Sequence, residues 1–279
     1  MDGPLLVIDG DSFAHRAYHG VPKSVLRSGG RGGNAILGFA NYVVRLHEAE
    51  KPRAVFVGWD RLEEENGRAE ELDGYQGGRE FEDSIVDQLE DLPELMTALG
   101  IPWGKGKRYE ADDYIASAAT MEAAAGGTAL VASGDRDSFQ LASDKITILH
   151  PVKGGEMARI GPTEVVERYG VLPEQVPDFI ALRGDPSDKI PGAKGVGAVT
   201  AAKLLLKHGT LEKMLAEGLF AGQAEDLRLY LRIATMVRTV KLKPIKTAVP
   251  DWAGGAKLAR EWEMTGLADR LEKLAAKTA

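Results

Sequence analysis

The sequence contains no cysteine. Disulfides and thiolate metal sites are excluded, so a bound cation has to be held by oxygen or by the five histidines. No uninterrupted apolar stretch reaches the roughly 20 residues that cross a bilayer. The N-terminal MDGPLLVIDGDS interrupts its one short apolar run with an aspartate, which fits neither a signal peptide nor a membrane span. Internal repeats and low-complexity tracts are also missing. The expectation is a soluble, monomeric, cytoplasmic protein with no membrane association.

Positive charge is in short supply as well, with 35 Lys and Arg against 42 Asp and Glu and a net charge of −7. Taken alone this disfavours a polyanionic partner, because phosphate neutralisation by Lys and Arg supplies most non-specific affinity for nucleic acid. The balance changes if the acids are concentrated in a metal site or in one acidic segment, since the remaining surface can then carry a basic patch. Leu62 to Glu94 is such a segment, with thirteen acids against Arg68 and Arg79 alone.

What is present is enough apolar material, 44% of 279 residues, for one large α/β domain or a core with a helical appendage. Leu5 to Ile8, Ala54 to Val57, Thr128 to Ala132 and Ile146 to Leu149 are apolar and rich in β-branched residues, and read as buried parallel strands. Between them Asn34 to Glu50, Ile85 to Leu99 and Ala111 to Ala125 carry apolar positions three and four apart, the helical spacing. The fold class is therefore α/β, with a central mostly parallel sheet flanked by crossover helices. From Pro162 to about Arg238 strand signals fade into short helices separated by Gly and Pro, which places a boundary near 160. The stretch beyond, with Pro244 and Pro250, carries no readable motif.

Strand one ends in Asp9, strand two in Asp60, and strand three in the turn Ser133-Gly134-Asp135-Arg136-Asp137. Ligands of open parallel sheets bind beyond the carboxyl ends of the strands, so three strands deliver acids to one crevice. Tyr109-Glu110-Ala111-Asp112-Asp113 opens a helix, where unpaired amides favour acids, and Gly184-Asp185-Pro186-Ser187-Asp188 adds a further pair. Any one of these acids can be a turn or helix cap, a reading that survives best for Asp112 and for Asp185 before Pro186. Gathered together they resist joint ionisation unless divalent cations supply counter-charge, and all-oxygen ligands suit Mg²⁺ or Mn²⁺.

The strings VIDGDSFAHRAYH, VFVGWD, YEADDYIAS, SGDRDSFQL and GDPSDKIPGAKGVGAVTAAKLL, in this order from about residue 4 to 215, resemble the bacterial and phage flap endonucleases and the 5′-nuclease domain of bacterial DNA polymerase I. The resemblance implies a PIN-like core with an arch insertion and a helix-hairpin-helix subdomain. Its divisions are 1–160 for the core, with the arch at about 62–94, then 161–238 for the DNA-gripping helices and 239–279 for an extension packing on the core. It assigns Asp9, Asp60, Glu110, Asp112 and Asp113 to one cation, and Asp135, Asp137, Asp185 and Asp188 to a second. Two or more Mg²⁺ or Mn²⁺ ions follow, with K⁺ at the helix-hairpin-helix loop. The partner is DNA with 5′ flaps, 5′ ends or branched junctions, and the reaction is phosphodiester hydrolysis in replication or repair.

The Gly-rich stretch Gly192, Ala193, Lys194, Gly195, Val196, Gly197 also reads sensibly by itself: glycines let backbone approach a phosphate, and the helix from Thr200 aims unpaired amides at it. Lys194, Lys203 and Lys207 add charge. Arg68, Tyr75 and Arg79 align with the Arg, Tyr and Arg of the family's arch, but Gln76 stands where the family carries a lysine that holds the scissile phosphate. Losing one such stabiliser costs about a hundredfold in rate, so slower or differently tuned cleavage is expected, with Arg68 as the remaining phosphate clamp. His15 takes the place of a base-stacking aromatic, and beside it Arg16 is positioned for a phosphate or a site carboxylate.

Two other readings compete. Gln76 and the acidic arch fit a DNA-binding protein whose catalysis has decayed, although all nine acids are retained. Asp9-Gly10-Asp11 also fits a phosphatase nucleophile motif, which leaves Asp112, Asp113 and the Lys194 loop without roles. No polymerase domain follows on the chain, so a stand-alone nuclease is expected.

Overall fold

The computed structural model describes residues 3–61, 68, 71, 72, 75 and 82–278. About half of the segment 62–94, including Gln76 and Arg79, lies outside the described residues.

The chain opens with β1 (Leu5–Asp9), all five residues buried, and passes directly into α1 (Gly10–Gly20). Asp9 ends the strand and caps the helix, its side chain accepting the Ser12 N–H at 3.0 Å. A small hairpin, β2 (Leu26–Arg27) and β3 (Arg31–Gly32), leads to α2 (Asn34–Glu50). Then come β4 (Ala54–Gly58), α3 (Asp83–Ala98), β5 (Trp103–Gly104), α4 (Ala111–Ala124), β6 (Ala129–Ala132), β7 (Ile146–Pro151) and β8 (Met157–Ile160).

The six-stranded sheet has the order β5-β4-β1-β6-β7-β8, and every neighbouring pair is parallel except β7 with β8. Successive side chains of a strand point to opposite faces, and the two apolar clusters divide on that alternation. Leu5, Val7, Phe56 and Val131 face one cluster, whereas Leu6, Ile8, Val55, Val57 and Leu130 face the other. Each such side chain, fully buried, contributes about 1.5–3 kcal/mol, so both faces must stay covered.

The first face is covered by α4 and by the helical unit of α5 (Pro162–Tyr169), α6 (Val176–Arg183), α7 (Ala198–His208), α8 (Leu211–Ala216) and α9 (Ala224–Ala234). The second is covered by α1, α2, α3 and a terminal helical pair, α10 (Trp252–Glu261) and α11 (Thr265–Thr278). That pair was not legible in the sequence, and neither were β5 and the antiparallel β8. Among the described residues no helix is long and apolar enough to cross a membrane.

Candidate active site

The carboxyl ends of β1, β4 and β6 lie side by side in the middle of the sheet, and the loops leaving them carry the acids. Asp9 is held by two donors, Ser12 N–H and the Ser133 hydroxyl, the latter at 2.7 Å. Asp60 accepts the Ala111 N–H at 2.6 Å, and its own N–H donates to Asp11 at 2.7 Å, so the start of α4 is fastened to the end of β4. The Ser133 hydroxyl also accepts the Asp135 N–H at 3.0 Å, and Asp135 in turn accepts the Asp137 N–H at 2.9 Å. One serine thus links the acids of β1 and β6.

At the head of α4, Asp113 reaches back to the Glu110 N–H at 3.2 Å and also accepts the Val237 N–H at 2.8 Å. Arg68 lies between these acids. Its guanidinium pairs with Glu110 and, at 2.8 Å, with Asp113, and it reaches the Thr235 carbonyl at 3.3 Å. Burial works against the charge on Arg68, but Glu110 and Asp113 outweigh it and hold its pKa above the ordinary value. The sequence reading gave Arg68 to a substrate phosphate; here it is the counter-ion of two site acids. Tyr75, read as a DNA contact, is buried, with its hydroxyl 3.4 Å from Glu110.

Asp9 caps α1, and Glu110 with Asp113 forms the capping box of α4, while Asp112 stands in the first turn of α4 among other acids. Burial first, then Asp9, Asp135, Asp60 and Glu110, push its pKa well above the carboxylate range. Asp9 is pushed up to about 7, chiefly by burial, against the Ser133 and Ser12 hydrogen bonds and with Asp60 and Asp135 adding to the rise. Glu110 is likewise pushed up to about 7, by burial opposed by Arg68. Asp137 is raised by burial and then by Asp135, Asp188 and Asp185. The acids therefore fall into two coupled sets, Asp9, Asp60, Glu110 and Asp112 in one, Asp137, Asp185 and Asp188 in the other, with Asp135 felt by both.

Coupling is not coordination. Among the described residues no three acids converge closely enough to form a ready-made ligand cage. The crevice nonetheless fits a divalent cation: its donors are all oxygen, and Glu110 Oε1 is buried without a hydrogen-bond partner.

Asp185 begins a turn that closes through reciprocal backbone bonds with Ile190, both 2.8 Å, and it pairs with Arg183 at 2.9 Å. Gly192 is buried within this turn, while Lys194, Gly195, Gly197, Thr200, Lys203 and Lys207 form an exposed edge running into α7. Arg16 is exposed and His15 half-buried; both line a cleft with Ser12, His19, Tyr42 and Lys153. Asp11, expected only in a competing phosphatase motif, and Ser133 and Gln140, given no role from the sequence, hold the acids in place. Only Asp11, two residues after a strand-end acid, gave a local signal.

The sheet, the acids at the carboxyl ends of its strands and the attached helical unit define the class as an α/β protein with a carboxylate-lined crevice. The family models for the 5′-3′ exonuclease N-terminal resolvase-like domain and C-terminal SAM fold match residues 4–170 and 171–253, and the chain belongs to the 5′-3′ exonuclease family. It is 37% identical over 250 residues to DNA polymerase I of Mycobacterium tuberculosis, covering 88% of this chain and 27% of that protein. Against the thermostable DNA polymerase I of Thermus thermophilus it is 34% identical over 278 residues, covering 98% of this chain and 32% of that one. The chain thus spans about a third or less of the length of these relatives.

Among solved structures, bacteriophage T5 5′-exonuclease with bound zinc superposes with a TM-score of 0.70 at 18% identity, over 98% of both chains. The catalytic core of Rad2 in complex with a DNA substrate gives 0.60 at 14% identity, over 97% of this chain and 91% of that one.

Proposed function

We propose that this chain hydrolyses DNA phosphodiesters at 5′ flaps, 5′ ends and branched junctions, with two divalent cations, Mg²⁺ or Mn²⁺, in the acidic crevice. The observation that carries this reading is the convergence of the strand-end acids, with Asp9 and the Asp135 turn fastened to one Ser133 hydroxyl and Asp60 fastened to the start of the Glu110 to Asp113 helix. Asp9, Asp60, Glu110, Asp112 and Asp113 belong to the first cation, and Asp135, Asp137, Asp185 and Asp188 to the second. When bound, two such ions supply the charge that activates a water and stabilises the leaving oxygen of an in-line displacement.

The chain's own residues do the rest. Ser133 fixes the orientation of Asp9 and the loop of Asp135, and Arg183 holds Asp185. Asp113 accepts from Arg68, Val237 and Glu110, so among the acids of the first cation its part is chiefly to fix Glu110 rather than to ligate directly. Arg68 pairs with Glu110 and Asp113, and would be available to a substrate phosphate if bound cations took over the charge of those acids; Arg16 and His15 line the cleft beside Ser12. The exposed lysine edge from Lys194 to Lys207, with K⁺ at the Gly192 to Gly197 loop, grips duplex phosphates without reading sequence.

Incubation with a 5′-flap duplex in Mg²⁺ or Mn²⁺, beside EDTA and an Asp135→Asn/Asp137→Asn variant, tests this. Cleavage near the junction that disappears in both controls is expected. Tight flap binding without cutting in any metal would instead mark a DNA-binding protein that has lost its chemistry.

A further inference from the structure

We infer that Gln140 is a positioning residue for the second cation's acids, and that it acts by tying their turn to an irregular strap, residues 235–240, that crosses behind the crevice. The inference rests on the two-cation reading above.

Gln140 is 2% exposed, yet its side-chain amide is almost fully used. Nε2 donates to the Asp137 carbonyl and to the Ala234 carbonyl, both at 3.0 Å. Oε1 accepts the Met236 N–H at 3.0 Å, and the Gln140 carbonyl accepts from Arg238 at 2.7 Å. The side-chain amide of this glutamine therefore ties the peptide of Asp137 to the last residue of α9, Ala234, and to Met236 of the strap, while Arg238 of the strap bonds its backbone carbonyl.

The opposite edge of the strap is fastened to α4. Val237 donates to Asp113 at 2.8 Å, the Ser117 hydroxyl donates to the Val237 carbonyl at 3.1 Å, and Val240 donates back to that hydroxyl at 2.9 Å. Upstream the strap continues from α9, which packs against α6, the helix that leads into Asp185. A single backbone segment is thus bound to the helix of Glu110 to Asp113, to the turn of Asp135 and Asp137, and to the helices beneath Asp185 and Asp188.

No other uncharged side chain of similar size supplies two donors and an acceptor there, and a carboxylate would lose both donors while adding charge beside Asp137. A catalytic constellation has to be held within about 0.5 Å of its working geometry, and outer contacts of this kind typically change metal affinity ~10-fold or more.

The test is calorimetric titration of Mn²⁺ into the full chain and into Gln140→Leu, with Asp135→Asn/Asp137→Asn identifying which binding component belongs to the second set. Gln140→Leu is expected to weaken that component ~10-fold and leave the other within about twofold. On a flap substrate it should lower kcat at fixed Mn²⁺, recover as Mn²⁺ is raised, and leave KM for DNA nearly unchanged. A purely structural role gives a lower Tm with both affinities unchanged in the folded protein, and that result overturns the inference.

If Gln140→Leu has no cooperative unfolding transition, Arg238→Met, which removes only the bond to the Gln140 carbonyl, takes its place. A selective weakening of the same component, smaller than that expected for Gln140→Leu, is then expected; equal affinities again overturn the inference. A wild-type chain that binds no Mn²⁺ overturns the two-cation reading itself, and this inference with it.

Discussion

Asp9 and Glu110 carry a charge only against resistance, since burial pushes each pKa up to about 7. In the unfolded chain such groups titrate near ~4. Between those values the folded protein binds more protons than the unfolded one, so in the absence of metal stability falls as pH rises from about 4 to about 7 and is level above. In EDTA the Tm is therefore expected to drop by about 5 °C between pH 5.5 and pH 8, and saturating Mg²⁺ at pH 8 should restore most of it by replacing the missing protons with a cation. A thermal melt series answers this; a flat Tm across that range would show that the acids are solvated and uncoupled. Arg68 is the chain's internal substitute for part of that positive charge, and its side chain is only 13% exposed where it pairs with Glu110.

The turn from Gly184 to Gly192 shows how an element places acids that no single residue could. Both glycines have left-handed backbones, φ 81° and 77°, and an added Cβ would lie 2.7 Å from the Ile190 carbonyl oxygen at the first and 2.4 Å from the Gly184 nitrogen at the second. Gly195 has the same φ of 77° but open space around it. Gly192→Ala is accordingly expected to cost ~3 kcal/mol, the left-handed penalty plus a backbone clash, against ~1 kcal/mol for Gly195→Ala. Urea unfolding of both variants checks the order, and equal losses would mean that φ alone matters.

At this scale the limits of the sequence are physical. β1, β4, β6 and β7 were legible because strands buried on both faces must be apolar almost throughout. The two-residue β5 exists only through its pairing with Val57 and Gly58, and β8 is an edge strand in which only Ile160 is buried. The acids were legible as a group, but their division into caps, frames and unpartnered charges was not, since Asp9 and Asp113 are helix caps and candidate ligands at once. The pairing of Arg68 was invisible for another reason, its partner Glu110 being 42 residues away.

Over the whole molecule the net charge of −7 hides an uneven distribution, because nine acids gather around the strand ends and the Asp185 turn and thirteen lie between Leu62 and Glu94, while the lysines of α7 are exposed. The C-terminal segment is equally deceptive. Its helix α10 has adjacent glycines at 254 and 255 and weak intrinsic propensity, yet Trp252, Ala256, Ala259, Leu267 and Leu271 complete the apolar cluster on the second face of the sheet. The approach to it is also pinned, with Ala248 N–H bonded to the Arg53 carbonyl at 2.9 Å and Asp251 N–H to the Leu99 carbonyl at 2.7 Å. Removing residues 239–279 uncovers several side chains worth about 1.5–3 kcal/mol each, a sum comparable to the ~5–15 kcal/mol that holds a domain together. A chain ending at residue 238, with every proposed ligand and the strap through Arg238 still present, is therefore expected to lose its cooperative thermal transition and near-ultraviolet circular dichroism and to bind a hydrophobic dye. A truncated chain that melts within about 5 °C of the intact one would make α10 and α11 an appendage, and the second face would then need only α1, α2 and α3 to cover it.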